Sequence, residues 1–164
     1  MSDEIKDQFR QAMRRLASTV TIVTTRNKGV IAGMTASAVT SLSMAPPSLL
    51  VCVNKTAGLH SSISSTDYFC VNILRHGQDE ISNAFAGKLT AEQRFDVGSW
   101  GHDKSVPYLR DAQAAIFCKR ATVYEHGTHS IIVGEAVELM LGDPITPLVH
   151  VDGRYSAVTP SFQR

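Results

Sequence analysis

The chain has 164 residues, 43% hydrophobic and 19% charged, enough for one domain with a real core. Its formal net charge of +1 comes from scattered basic residues, which excludes the footprint of a nucleic-acid binder and permits self-association. No apolar run is long enough to span a bilayer, so no membrane partner is expected.

Ile5, Phe9, Met13 and Leu16 recur at helical spacing and predict a helix over residues 3–17. Asp3 and Glu4 stand near its start and Arg14 and Arg15 near its end, where the helix dipole favours them. This charged start lacks a secretory apolar region, which points to the cytoplasm, and its apolar stripe predicts packing on the rest of the domain. Strands follow at residues 18–25 and 30–40, joined by an Asn27-Lys28-Gly29 turn, then at 49–53 and 68–74. Short helices are predicted at residues 56–66, 78–86 and 90–95, an irregular segment at 96–108, and further strands at 112–125, 130–142 and 148–151. Strands dominate, connections are short, and no strand–helix alternation demands a parallel sheet. The expected fold is mostly β with peripheral helices: one domain over residues 1–164, an antiparallel closed or nearly closed barrel, with the helix of residues 1–17 packed on it.

Cys52, Cys70 and Cys118 each lie in an apolar strand-like run. An odd count without CxxC or Cys–His spacing argues for buried reduced thiols over disulfides or structural zinc. The six histidines show no HExxH pair, and His126 and His129 flank Gly127 without an evident third ligand, so no metal site is expected. There is no GxSxG elbow, no GxGxxG after a strand and no GxxxxGK[ST] loop. No paired carboxylates stand at a plausible separation. Redox chemistry would therefore need a borrowed cofactor.

Three features remain as candidate chemistry. Residues 33–54, GMTASAVTSLSMAPPSLLVCVN, concentrate small and hydroxyl side chains that would let a flat ligand approach the main chain, or would simply pack tightly. The Asn54-Lys55-Thr56 corner, followed by Ser61 and Ser62, could hold a phosphate or cap a surface helix carrying a solvated lysine. His129 opens a strand after a glycine turn, where a side chain points either into a cleft or into solvent.

Read in order, the segments closely resemble the short-chain flavin reductase family, the reductase components of two-component flavin-dependent monooxygenases. The matching pieces are FRQAMRRLASTVTIVTT (9–25), GMTASAVTSLSMAPPSLLVCVNK (33–55), YFCVNIL (68–74), ISNAFAG (81–87), Arg94-Phe95, GTHSIIVGEAV (127–137) and PLVHVDGRY (147–155). The resemblance covers nearly the whole chain. It implies an FMN-binding split β-barrel of Greek-key type, a homodimer, and a flavin, FMN or FAD, in a groove near the dimer interface. It also implies hydride transfer from NADH or NADPH and delivery of the reduced flavin to a separate flavin-dependent monooxygenase. A flavin-binding electron carrier or sensor without a nicotinamide site is the alternative.

Carried onto this sequence, the resemblance sets the flavin ring against Thr35, Ala36, Ser37, Ser41, Leu42 and Ser43. It brings Cys52, Val53 and Asn54 to the ribityl chain, and Lys55 with Thr56, Ser61 or Ser62 to the phosphate. Phe85 and Gly87 border the site, and His129 and Tyr155 take the nicotinamide side. Two departures stand out. Thr128 replaces the acidic residue common before the histidine, and Ala57 and Gly58 thin out the phosphate corner, which suits a flavin handled as a substrate.

Overall fold

A computed structural model describes residues 3–87 and 89–158. The chain opens with α1 (Asp3–Met13) and a two-residue strand β1 (Ser18–Thr19). Two hairpins follow, β2 (Thr21–Asn27) with β3 (Val30–Ala36), and β4 (Val39–Met44) with β5 (Pro47–Asn54). After α2 (His60–Ser65) come β6 (Tyr68–Ile73), α3 (Asp79–Ala86) and α4 (Ala91–Phe95), then the short pair β7 (Trp100–Gly101) and β8 (Tyr108–Leu109). The long hairpin of β9 (Ala114–His126) and β10 (His129–Leu141) precedes β11 (Leu148–Val151) and β12 (Arg154–Ala157).

Four hairpins turn on two residues, Ala45-Pro46 joining β4 to β5, and in the other three a glycine serves the turn. Lys28 and Gly29 have φ of 48° and 85°, and Asp152 and Gly153 have 49° and 76°. Two left-handed residues in a row give the turn whose twist suits paired strands. Gly127, with φ of 53°, opens the turn between β9 and β10. At α4, Thr90 Oγ1 accepts from the Gln93 amide at 3.3 Å and Gln93 Oε1 accepts from the Thr90 amide at 3.0 Å, a reciprocal cap.

The main sheet has seven antiparallel strands in the order β3-β2-β6-β9-β10-β5-β4. It is mostly β as expected, but the sheet is open: among the described residues its edge strands β3 and β4 form no ladder with each other. The strand expected at 30–40 breaks at Ser37 and Ala38, and the serine-rich stretch beyond it becomes β4. Because that two-residue link joins the two edges, the sheet must curl until they meet there. Its concave side holds one core, where Val23, Val51, Val53, Val71 and Ile132 close around Leu59 and Ile63 of the α2 segment. Each of these side chains contributes about 1.5–3 kcal/mol by leaving water.

On the other side, α3 and α4 cover β2 and β3 with a second core built on Ile22, Leu74, Phe85, Trp100 and Leu109. Asn72 of β6 is fully buried and staples this layer. Its amide donates to the Ile22 carbonyl at 2.9 Å, and its Oδ1 accepts from the Leu109 amide at 2.8 Å.

Helix α1 forms with the expected stripe, but it buries no residue. Ile5, Phe9, Met13 and Leu16 all stay exposed in the single chain, so the stripe does not pack on this chain's own sheet. The helix is instead tethered at its end, where Arg14 Nε donates to Asp152 Oδ1 and the Asp152 amide donates to the Arg14 carbonyl, both at 2.9 Å.

Gly33 of β3 lies under Phe85. A Cβ placed there would sit 2.6 Å from Phe85 Cε1 and 3.3 Å from Thr24 Cγ2. Gly33→Ala should therefore overpack the layer between β3 and α3 and cost about 1–3 kcal/mol. A lowered urea midpoint at unchanged slope is the expected result, and an unchanged midpoint would mean that Phe85 does not press on this strand.

Candidate active site

Strand β5 alternates, with Leu49, Val51 and Val53 facing the core and Leu50, Cys52 and Asn54 facing out. Beside its outer face, exposed Ser37 and Ala38 bridge the sheet edges, and the Cys52 amide donates to the Ala38 carbonyl at 3.0 Å. A cleft of about 430 Å³ opens over this floor, walled by Leu16, Ser18 and Thr40. That volume is in the range of small-molecule sites. Ser37, Ala38 and Cys52 bring small side chains to the floor, with Leu50 beside them, so a planar group can lie close to the main chain at Ser37 and Ala38.

The predicted ring contacts divide between two places. Ser37 lines this cleft, together with Cys52 of the predicted ribityl contacts, whereas Ser41 and Ser43 line a second, mostly apolar cleft of about 590 Å³ with Leu139 and Ile145. Leu42 sits exposed at a register shift between them. Ser43 Oγ accepts from the Ala45 amide at 3.1 Å. Thr35 and Ala36 serve the framework. The Thr35 hydroxyl donates to the Ser82 carbonyl at 2.6 Å, and the buried Ala36 has its carbonyl taken by the Thr21 hydroxyl at 2.7 Å. The Val53 side chain is fully buried, so only its main chain can meet a ligand.

The far end of β5 gathers the polar corner. Asn54 Oδ1 accepts from both the amide and the hydroxyl of Thr56, each at 2.9 Å, which closes an Asx turn. The Lys55 amide donates to the Thr128 carbonyl at 2.9 Å, locking this corner to the turn between β9 and β10. Lys55 Nζ lies 2.9 Å from Glu125 Oε2, and that ammonium holds the Glu125 carboxyl below its ordinary range. Ser61 is exposed and Ser62 half-buried, and the Ser61 carbonyl accepts from the Ser65 hydroxyl. Below the corner, His60 Nε2 lies 2.9 Å from the buried Ser130 Oγ.

His129 is exposed in register with Asn54, so it belongs to this same corner. Thr128 supplies a neighbouring contact, its Oγ1 lying 2.9 Å from His129 Nδ1. Tyr155 stands elsewhere, on β12 beside His150 with ring centroids 5.8 Å apart. Its hydroxyl lies 2.8 Å from both Ser82 Oγ and Asn83 Oδ1 of α3. The two residues expected together on one side of a ligand thus stand on different elements, His129 on β10 at the Asn54 corner and Tyr155 on β12 against α3.

Phe85 and Gly87 do not border the cleft through their side chains. Phe85 is buried against Phe95 and Trp100, at centroid distances of 5.1 Å and 5.0 Å. Gly87 ends α3, and its carbonyl accepts from Arg94. That guanidinium also donates to the carbonyls of Gly33 and Leu89, at 3.0 Å and 3.1 Å, tying β3 to the helical layer. Among the described residues no set of three His, Cys, Asp or Glu side chains could hold a metal, and no helix is long and apolar enough to cross a membrane.

A family model described as flavin reductase like domain matches residues 13–159. The reductase component of an FADH(2)-dependent resorcinol hydroxylase from Rhizobium sp. (strain MTP-10005) is 41% identical over 160 residues, covering 96% of this chain and 89% of that protein. An FMN reductase (NADH), RutF, from Pantoea ananatis is 40% identical over 151 residues, with 92% and 80% covered. Among solved structures, the NADH:FAD oxidoreductase SgcE6 of Streptomyces globisporus, in complex with NAD and FAD fragments, superposes with a TM-score of 0.89. It is 28% identical, with 99% of this chain and 98% of that chain covered.

The three thiols differ in ways that labelling can read. Cys52 lines the cleft, half-buried. Burial pushes the Cys70 thiol well above its ordinary range and the Cys118 thiol up to about 12. Iodoacetamide at pH 8 should modify Cys52 alone in the native protein and all three after unfolding, as mass spectrometry of the digests would show. Native labelling of Cys70 or Cys118 would contradict this core.

Proposed function

The chain belongs to the flavin reductase like domain family, and we infer that it is an NADH-dependent flavin reductase supplying reduced flavin to a separate monooxygenase component. The observation that carries this reading is the cleft itself. It has a floor of small residues at Ser37, Ala38 and Cys52, with the polar corner of Asn54 and Lys55 beyond it. It contains no nucleophile–base pair, which a reaction between two stacked rings does not need.

When bound, the flavin supplies the two-electron chemistry. The protein's residues bind, orient and exclude water. The ring would rest on Ser37 and Ala38, and Ser41, Leu42 and Ser43 would meet its pyrimidine edge through the main chain of β4, since the Ser41 and Ser43 side chains line the other cleft. Fixed donors there stabilise the charge that reduction places on that edge, more strongly in a site that sheds water. Cys52, the main chain of Val53, and Asn54 would follow the ribityl chain, and Lys55 with Thr56, Ser61 and Ser62 would face the phosphate. His129 and Tyr155 would contact the nicotinamide side. FMN and FAD both suit this arrangement, and NADPH is a second possible donor.

The curled, open sheet is consistent with a split β-barrel of Greek-key type, since β6 inserts between β2 and β9 and β5 crosses over to β10. Reduced buried thiols suit a cytoplasmic compartment, which cell fractionation would check.

Steady-state NAD(P)H oxidation with FMN, FAD and riboflavin tests the activity. NADH consumption that depends on added flavin is the expected result, with bound FMN slowing the alkylation of Cys52. His129→Ala and Tyr155→Phe should each raise the KM for NADH severalfold and leave flavin affinity near that of the unmodified chain. No turnover with either nucleotide would refute the assignment, and unaltered NADH kinetics in both variants would remove the two residues from the nicotinamide side.

The chain is further proposed to be a homodimer. Met44 and Ile145, 84% and 81% exposed, line the apolar cleft with Leu139, and Leu141, two residues further along β10, is 80% exposed, more apolar surface than a single chain ordinarily leaves bare. Light scattering should give twice the mass of one chain. A Leu141→Glu, Ile145→Glu double variant should run as a monomer, and a monomeric unmodified protein would end the proposal.

A further inference from the structure

We propose that Glu125 determines how tightly the cleft holds phosphorylated flavins, by competing with the flavin phosphate for Lys55. The proposal rests on the reading of Lys55 as the phosphate-side cation. It concerns a residue that lies 70 positions away in the chain and reaches the site across a neighbouring strand.

The geometry is specific. Strand β10 lies between β5 and β9, and Ser130 is the register partner of both Val53 and Glu125. Glu125 thus stands one strand removed from the end of β5, and its carboxylate closes on the Lys55 ammonium at 2.9 Å. The main chain of Lys55 is pinned to the Thr128 carbonyl, so only its four-carbon stem is free to redirect the charge. The other groups at the corner are already occupied or uncharged. Both donors of Thr56 are held by Asn54 Oδ1, His60 is engaged by Ser130, His129 meets Thr128 through Nδ1, and Ser61 and Ser62 carry no charge.

A phosphate arriving here brings negative charge, close to two units for the monoester of FMN and one on each phosphorus for the pyrophosphate of FAD. It must either take the ammonium from Glu125 or share it with a carboxylate of like sign. Both routes weaken the binding of FMN and FAD, and neither touches riboflavin, which lacks the phosphate. The ion pair is also cheap to open, because Glu125 and Lys55 side chains are 71% and 35% exposed and their attraction is screened by water and salt. A cation that is held but easily released suits a flavin that must bind, be reduced and leave.

Fluorescence-quenching titrations of the full chain with FMN and with riboflavin test this, using the unmodified protein, Glu125→Gln, Lys55→Met and the double variant. Glu125→Gln should tighten FMN about two- to fivefold and leave riboflavin unchanged. Lys55→Met should erase the advantage of FMN over riboflavin, and Glu125→Gln should add nothing in that background. The proposal is overturned if Glu125→Gln weakens FMN, leaves it unchanged, or shifts both ligands equally while Lys55→Met still erases the advantage. If Lys55→Met leaves the FMN-to-riboflavin ratio as it was, the phosphate assignment itself fails and takes the proposal with it. Glu125 is exposed and Gln nearly matches its shape, so melting temperatures close to that of the unmodified protein will show that all four chains are folded.

Discussion

Seven antiparallel strands laid flat would leave two open edges, each a row of unpaired main-chain groups ready to template another chain. Here the two edges are consecutive in the chain, joined only by Ser37 and Ala38, and this short tether bends the whole sheet. Everything else follows from that bend. The concave side becomes narrow enough for the α2 segment to fill with Leu59 and Ile63, and the convex side is covered by α3 and α4. At the tether itself the ladder is interrupted, so the side chains there are exposed and small and a cleft forms beside β5. The floor of the site is the point where the two edges of the open sheet are joined by the chain without pairing.

The hydroxyl groups around this point have two separate uses. Thr21, Thr24, Thr25 and Thr35 are turned inward, and each donates to a carbonyl that the ladder leaves available. Such bonds contribute about 0.5–1.5 kcal/mol apiece, but leaving the buried partners unmet would cost more. Those threonines fix where β2 and β3 lie against the loop before β8 and against α3. Ser37 is the exposed hydroxyl at the tether and remains free to meet a ligand. None of them sits beside a base that could activate it, which agrees with a reaction whose demands are alignment and electrostatics.

Local features of the sequence were legible where a residue type has one dominant conformational use. Asn27-Lys28-Gly29 announced its turn, and Gly127 announced the start of the β10 hairpin. The break at Ser37 and Ala38 carried no such mark, since serine and alanine are at home in a strand, and a single strand at 30–40 was the natural expectation. Only the long-range order of the sheet produces the break. Phe85 was equally ambiguous: its motif placed it near the site, but its role is to wedge beneath Gly33 with Phe95 and Trp100. The engagement of Lys55 by Glu125 was invisible, because it depends on which strand lies between β5 and β9. Strand β12 was missed because every one of its residues is exposed and so shows no burial alternation.

The two clefts are not independent. Thr19, Val39 and Thr40 line both of them, the small-residue cleft and the broad apolar one. A second copy that covers Leu139, Leu141 and Ile145 would therefore form its interface against the strand that also walls the small-residue cleft. Among the described residues, edge strand β4 pairs with β5 alone, so on its own it is among the more easily displaced elements of the fold. Covering it there would fix the height of that wall and remove water from one flank of the ring. In that arrangement association and flavin binding draw on the same element, and each favours the position of β4 that the other requires.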